Sequence, residues 1–148
     1  MPLSQQQTLS QQNLEAAALS KNAEALELAL YDVFSAGLHE QHAHVLIALA
    51  GAPWHTRHED VALALQELRV PESVTALECL ALSQHAYLEY DEFFGLARKC
   101  TWAIADVGTS QAKEALARLG SCENPHVAAF ATKRLENWQH ELHRKRDA

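Results

Sequence analysis

The sequence predicts an all-α fold of seven or eight helices in a single domain over residues 1–148. Apolar residues recur at helical spacing along most of the chain, and strand-like alternation between turn residues is nearly absent. The chain is 48% hydrophobic, with 5 glycines and 4 prolines, which is typical of a compact domain that buries its own core. Helical segments also repeat at a constant offset, which predicts how the helices stack.

The first four helices are predicted over residues 11–19, 23–35, 40–50 and 57–68. Ser10 and Asn22 are expected to cap the first two, because their short polar side chains accept hydrogen bonds from the free amides of a first helical turn. Gly37 closes the second helix, and the third ends before Gly51. Residues 1–10 are expected to be flexible.

The last four helices are predicted over residues 71–82, 91–107, 110–119 and 125–143. Pro71 and Pro125 stand at first helical positions, where the missing amide hydrogen is not needed. Asp91 starts the sixth helix, and Thr109 caps the seventh. Residues 83–90 interrupt the helical rhythm and are predicted to form a loop inserted between two repeats.

Residues 65–80 align with residues 104–119 without a gap, so that Leu65 falls on Ile104. The same shift superimposes further apolar positions, among them Leu68 on Val107 and Leu77 on Leu116. Helix pairs that recur about every 30–40 residues are typical of an α-solenoid. The sequence therefore predicts a short α-solenoid of antiparallel helix pairs, in which Arg98 and Lys99 are expected to pair with acids of the neighbouring repeat.

The charge of the chain is acidic, with 19 carboxylates against 12 lysines and arginines and a net charge of −7. Residues 133–148 hold five basic and three acidic side chains, which leaves seven basic and sixteen acidic ones, a charge of −9, on residues 1–132. A body of this sign repels phosphate backbones, so no nucleic-acid ligand is expected. It attracts a protein partner with a basic surface, although acidic faces also keep a small protein soluble.

The remaining composition favours a cytoplasmic protein without membrane association. The N-terminal stretch lacks the basic start and apolar core of a signal peptide, and no apolar run reaches the roughly 18 residues of a membrane span. The three cysteines, Cys79, Cys100 and Cys122, have neither disulfide nor metal-site spacing. We therefore expect reduced thiols, no cofactor and no bound metal.

The densest polar cluster lies at the predicted start of the fourth helix and consists of Trp54, His55, Arg57, His58, Glu59 and Asp60. Acids in a first turn interact favourably with the helix dipole, and the helical spacing of a zinc-protease site is absent. The cluster is therefore expected to cap the helix or to face a protein partner. A metal-dependent hydrolase that uses His55, His58, Asp60 and Glu92 remains an alternative. A second histidine group, His39, His42 and His44, is expected to be exposed.

The predicted insert continues to residue 92 and contains Tyr87, Leu88, Glu89, Tyr90, Asp91 and Glu92. Tyrosines supply a large contact area at low entropic cost, and three carboxylates would meet a basic patch, so the composition suits a protein-binding loop. In the alternative, the apolar and aromatic side chains fold back over the helix ends while Asp91 and Glu92 cap the sixth helix. Both interpretations stay open, since one does not exclude the other.

Residues 65–77 and 103–116 resemble the first-helix, tight-turn, second-helix pattern of HEAT repeats. The phrases at 53–60, 87–92 and 97–103 resemble those of small bacterial HEAT-repeat proteins that serve as immunity partners in polymorphic or secreted toxin systems. The resemblance implies a protein without enzymatic activity that neutralises a cognate toxin by covering its active surface. Trp54, Tyr87 and Tyr90 would be its anchors, and the neighbouring carboxylates would supply charge. A regulatory or scaffold HEAT-repeat adaptor is the alternative function.

Overall fold

The computed structural model describes residues 1–88, 94–140 and 142, and within these ranges it contains helices and no strand. The helices are α1 Gln5–Ser20, α2 Ala23–Ala36, α3 Ala43–Ala50, α4 His58–Leu68, α5 Val74–Leu82, α6 Gly95–Val107, α7 Ser110–Gly120 and α8 Pro125–Glu136. Short 3₁₀ turns occupy Glu40–His42, Pro71–Ser73 and Ala86–Leu88. The predicted all-α class is therefore confirmed. Within the described ranges no helix combines the length and apolar character that crossing a membrane requires.

The helices pack in adjoining pairs around one apolar core. Helices adjacent in the chain pack in the pairs α1 with α2, α3 with α4, α5 with α6, and α7 with α8, and α4 packs just as closely on α6. Contacts also connect α1, α3, α5 and α7 in succession, and α4, α6 and α8 in succession. The largest buried apolar side chains are Leu14, Leu26, Leu46, Leu49, Leu65, Leu77, Ile104, Leu116 and Leu119. They come from α2, from the set of helices α1, α3, α5 and α7, and from the set α4 and α6, so one core continues through the molecule.

The sequence shift that places Leu65 on Ile104 has a counterpart in the backbone. Arg69 follows α4 with a φ of 54°, and Gly108 follows α6 with a φ of 74°, so both helices end in a left-handed residue. However, α4 and α5, which flank the first of these tight turns, are not a main packing pair. Because α5 packs on α6 instead, the long connection joins two helices that pack directly on each other.

Three side-chain contacts join residues that are 40 positions apart. Lys99 of α6 pairs with Glu59 of α4, which confirms the expected role of this lysine. Gln66 donates a hydrogen bond to Asp106 at 2.9 Å. On α5 and α7, Arg118 forms two hydrogen bonds of 2.8 Å to Glu78. The same spacing in the chain therefore brings side chains of α4 against α6 and of α5 against α7 across the packing interfaces.

The N-terminal prediction is wrong in its boundary. α1 begins at Gln5, because Ser4 and Gln7 form a capping box with two hydrogen bonds of 3.0 Å. Residues 5–10, expected to be flexible, are therefore helical. Ser10, the expected cap, is buried within α1, and its hydroxyl contacts the Nε2 of His42 at 3.1 Å. The expected exposure of His42 is wrong for the same reason, since this imidazole is fully buried.

The connection between α5 and α6 is the longest between consecutive α-helices. It spans the twelve residues between Leu82 and Gly95, whereas two residues separate α6 from α7 and four separate α7 from α8. The predicted start of the sixth helix at Asp91 lies outside the described residues. The described part of α6 begins at Gly95, and Phe94 before it has a left-handed φ of 53°. At the C-terminus α8 ends at Glu136 and a turn at Asn137 interrupts the predicted last helix, but residues 138–140 and 142 are again helical, and the predicted end at residue 143 lies outside the described residues.

Candidate functional site

Four aromatic rings come together where the loop before α4 meets the connection after α5. We call this group, formed by His55, His58, His85 and Tyr87, the histidine–tyrosine cluster. The ring of His58 stacks on His55 with centroids 4.1 Å apart, and on His85 with centroids 3.9 Å apart. Tyr87 lies 5.8 Å from His58, and Trp54 meets the edge of His55 at 5.1 Å. The cluster therefore joins two segments that are distant in the sequence.

His55 connects the end of α3 with the start of α4. Its Nε2 lies 2.8 Å from the carbonyl of Leu49, one of the last carbonyls of α3, and its Nδ1 accepts a hydrogen bond of 2.9 Å from the amide of Arg57. Helix ends leave such carbonyls and amides without partners inside the helix. The imidazole therefore carries its proton on Nε2 and satisfies one group of each helix.

His58 has the same tautomer and a different pair of partners. Its Nε2 donates to the carbonyl of Ala52 at 2.7 Å, and its Nδ1 accepts from the hydroxyl of Tyr87 at 2.7 Å. The amide of His58 also approaches this hydroxyl at 3.4 Å. Since Tyr87 belongs to the connection between α5 and α6, this hydroxyl attaches the connection to the first residue of α4.

The imidazoles of the cluster are held in the neutral form. The pKa of His58 is lowered to about 4, chiefly by burial and with a contribution from the neighbouring His55 and His85, against the raising effect of the Ala52 carbonyl. Burial also lowers the pKa of His55 and of His85. A charged imidazole would lose its water shell here, so the neutral form is favoured near pH 7.

The segment 83–88 is held by contacts at both of its ends. The hydroxyl of Ser83 donates to the carbonyl of Leu80 at 2.6 Å, so its oxygen accepts the hydrogen bond of 3.0 Å from the Nε2 of His85. The amide of Leu88 donates to the carbonyl of His85 at 2.9 Å. With the stacking on His58, these bonds fix the described part of the connection against α4.

The acids at the start of α4 are largely paired within the protein. Arg57 lies 2.5 Å from Glu27 of α2 and 3.9 Å from Asp60. Lys99 pairs with Glu59. Three carboxylates therefore share two cations here, so the acids at the start of α4 are less available to a partner than their number in the sequence suggests.

The predicted partner-binding residues fall into three groups in the structure. His55 and His58 are 2% and 0% exposed, so the prediction that they face a partner is wrong for the described structure: both rings are used in internal hydrogen bonds. The partly exposed residues are Trp54, Arg57, Glu59, Asp60 and Tyr87. The predictions for Glu89, Tyr90, Asp91 and Glu92 lie outside the described residues.

The described ranges contain no arrangement of side chains that would bind a metal. No set of three or more His, Cys, Asp or Glu side chains there is placed to hold an ion. The Nδ1 lone pairs of His55 and His58, which a metal would need, already accept hydrogen bonds. Cys100 is fully buried, and burial raises the pKa of its thiol. Cys100 is therefore part of the apolar core.

An apolar cavity of about 890 Å³ lies beside the segment 83–88. It is bounded by the end of α5, the start of α6 and the turn between α7 and α8. Its lining includes Leu80, Leu82, Leu88, Phe94, Leu96 and Val127. A cavity of this size and polarity accommodates apolar side chains or a small apolar ligand.

Sequence reasoning missed His85. The residue precedes Tyr87 by two positions in the predicted insert, and no spacing links it to the histidines before α4. Its stacking partner, His58, is brought to it only by the packing of α5 and α6 on the α3 and α4 pair. No sequence period carries that information, because the contact joins two connecting segments rather than two helix faces.

Comparisons of the chain with family models, with curated proteins and with solved structures gave no match. The class of protein that the fold defines is a small all-helical domain with a buried histidine–tyrosine cluster. Function is therefore argued from the geometry of this cluster and of the surfaces around it.

Proposed function

We propose that this chain is a protein-binding module without enzymatic activity, built as a short α-solenoid of HEAT-like helix pairs. The contacts among alternate helices support the solenoid, since α3, α5 and α7 follow one another and so do α4, α6 and α8. The side-chain contacts at a spacing of 40 residues support the same arrangement. Stacked helix pairs of this kind present extended surfaces that suit protein partners.

The attachment of the segment 83–88 carries the proposal. Tyr87 and His85 hold this segment on α4 through a 2.7 Å hydrogen bond and a stacked ring. A long connection that is fixed before binding loses less conformational entropy when a partner arrives. The partly exposed ring of Tyr87 and that of Trp54 flank the cluster, and aromatic side chains of this kind dominate binding energy at protein interfaces.

The partner that we propose is a toxin with a basic active surface, which the module occludes. The net charge of −9 over residues 1–132 would attract such a surface from a distance. Because Glu59 and Asp60 already have cationic neighbours, the short-range contacts would depend on Glu89, Asp91 and Glu92 of the connection. The resemblance to HEAT-repeat immunity proteins supports the same class of partner.

The test is co-expression of the chain with a toxin domain encoded next to it, with growth protection and co-purification as the two measurements. Asp91→Lys combined with Glu92→Lys should abolish protection, and Trp54→Ala should weaken the complex by about tenfold or more. Glu67→Lys combined with Glu72→Lys is the matched control, because it makes the same change of charge at two exposed carboxylates near the other end of α4. Unchanged protection by the charge-reversed variant would overturn the assigned surface. A stable complex that leaves toxin activity intact would overturn neutralisation in favour of an adaptor.

A further inference from the structure

We propose that the outer face of α1 and α2 is a docking surface for an amphipathic helix of a partner protein, one that carries basic residues beside its apolar seam. This face is separate from the histidine–tyrosine cluster. The inference goes beyond the proposed function, and either can fail without the other.

The position of the face in the fold is the first argument. Helix α1 contacts α3, α3 contacts α5, and α5 contacts α7. Each of α3, α5 and α7 is therefore covered on the side that faces the preceding helix of this series. The groove between α1 and α2 is open to solvent in the described structure, since Ala16 and Leu28 are exposed. Glu15 and Glu27, which pair with His44 and Arg57 in the rest of the molecule, lie around their helices away from this face. The face is therefore left open.

The character of the face is the second argument. Leu9, which lies one turn before Asn13 on the same side of α1, and Leu28 are 58% and 69% exposed, so this side of the two helices presents apolar side chains to solvent. A groove of about 380 Å³ runs between the two helices. It is lined by Asn13, Ala16, Ala17, Ser20, Ala25, Leu28, Ala29 and Asp32. The four alanines let a third helix approach closely, and Leu28 supplies an apolar ridge beside it.

Charge selects the partner. Residues 1–36 contain four carboxylates and one lysine. Glu15 and Glu27 pair with His44 and Arg57, whereas Asp32 lines the groove itself. A helix with lysines or arginines beside its apolar seam complements this face, as in other helix-in-groove complexes. A second copy of the chain is disfavoured, because it would present the same carboxylate, Asp32, to the Asp32 of the first copy.

The experiment uses the full chain, labelled with ¹⁵N, and a synthetic amphipathic helix of about 18 leucines and lysines, roughly 27 Å long. We expect saturable binding with chemical-shift changes concentrated on α1 and α2. Ala16→Arg should weaken binding by about tenfold, since it fills the groove and adds a like charge. Ala48→Arg on α3 is the matched control, because Ala48 is also an exposed helical alanine. Asp32→Asn should weaken binding by about two- to fivefold.

Leu28→Gln is a second groove variant, with Leu82→Gln as its control, because both leucines are exposed and neither substitution disturbs the core. A leucine and glutamate helix of the same length should bind much more weakly. Equal binding of both helices, equal effects of Ala16→Arg and Ala48→Arg, or shift changes centred on residues 83–88 would overturn the proposal. A dimer in sedimentation that Ala16→Arg dissolves would overturn it in favour of a second copy.

Discussion

Replacing His58 with glutamine should flatten the dependence of stability on pH. The unfolded chain binds a proton at His58 with a pKa near 6.5, whereas the folded protein does so only at about 4. Because the folded pKa is lowered, stability is highest above pH 6.5 and is lost as the pH falls towards 4. Between about pH 7.5 and about pH 5 this loss is on the order of 2 kcal/mol for His58 alone, at about 1.4 kcal/mol per pKa unit.

The measurement is urea unfolding followed by far-ultraviolet circular dichroism at several pH values in that range. The wild-type protein should lose stability on acidification, and His58→Gln should lose on the order of 2 kcal/mol less, although it starts from a lower value near pH 7.5. His140→Gln is the control, because this exposed histidine lies outside the cluster. Parallel stability curves for the wild type and His58→Gln would refute the assignment of a buried, neutral imidazole at this position.

Three further outcomes follow from burial and hydrogen bonding. Tyr87→Phe leaves the Nδ1 of His58 without its donor and should lower the free energy of unfolding in urea at neutral pH by about 1–3 kcal/mol. An unchanged unfolding midpoint would contradict the hydrogen bond between these side chains. Ile104→Ala removes a fully buried side chain and should cost about 2–5 kcal/mol. A thiol reagent should modify exposed Cys79 in the native protein and buried Cys100 only after unfolding, as peptide mass spectrometry would show.

The helical content could be predicted from the sequence because its signals are local. Asn22 and Thr109 cap α2 and α7 as expected, with side chains that accept hydrogen bonds from Ala25 and Ala112. The internal repeat of the sequence located two equivalent turns, since left-handed residues follow both α4 and α6. The pairing of the helices could not be predicted in the same way, because it depends on how each turn directs the chain.

The start of α1 was missed because it depends on polar side chains. The stretch before Ser10 contains no apolar period, yet Ser4 and Gln7 satisfy the free amides of the first turn. His42 was missed for a related reason: its burial requires the hydroxyl of Ser10 opposite its ring. Histidine has no fixed preference for the interior, so only its hydrogen-bond partners decide where it lies.

The chemistry of imidazole explains why histidines and not leucines fill the space beside α4. A leucine at position 58 would fill the volume but leave the carbonyl of Ala52 and the hydroxyl of Tyr87 without partners. A neutral imidazole donates on one edge, accepts on the other and stacks on both faces. Protonation converts its acceptor into a donor, so the hydroxyl of Tyr87 must turn and accept, and a positive charge is then buried among the rings of His55 and His85. Acidification therefore weakens the attachment of the segment 83–88 through the same atoms that stabilise it near neutral pH.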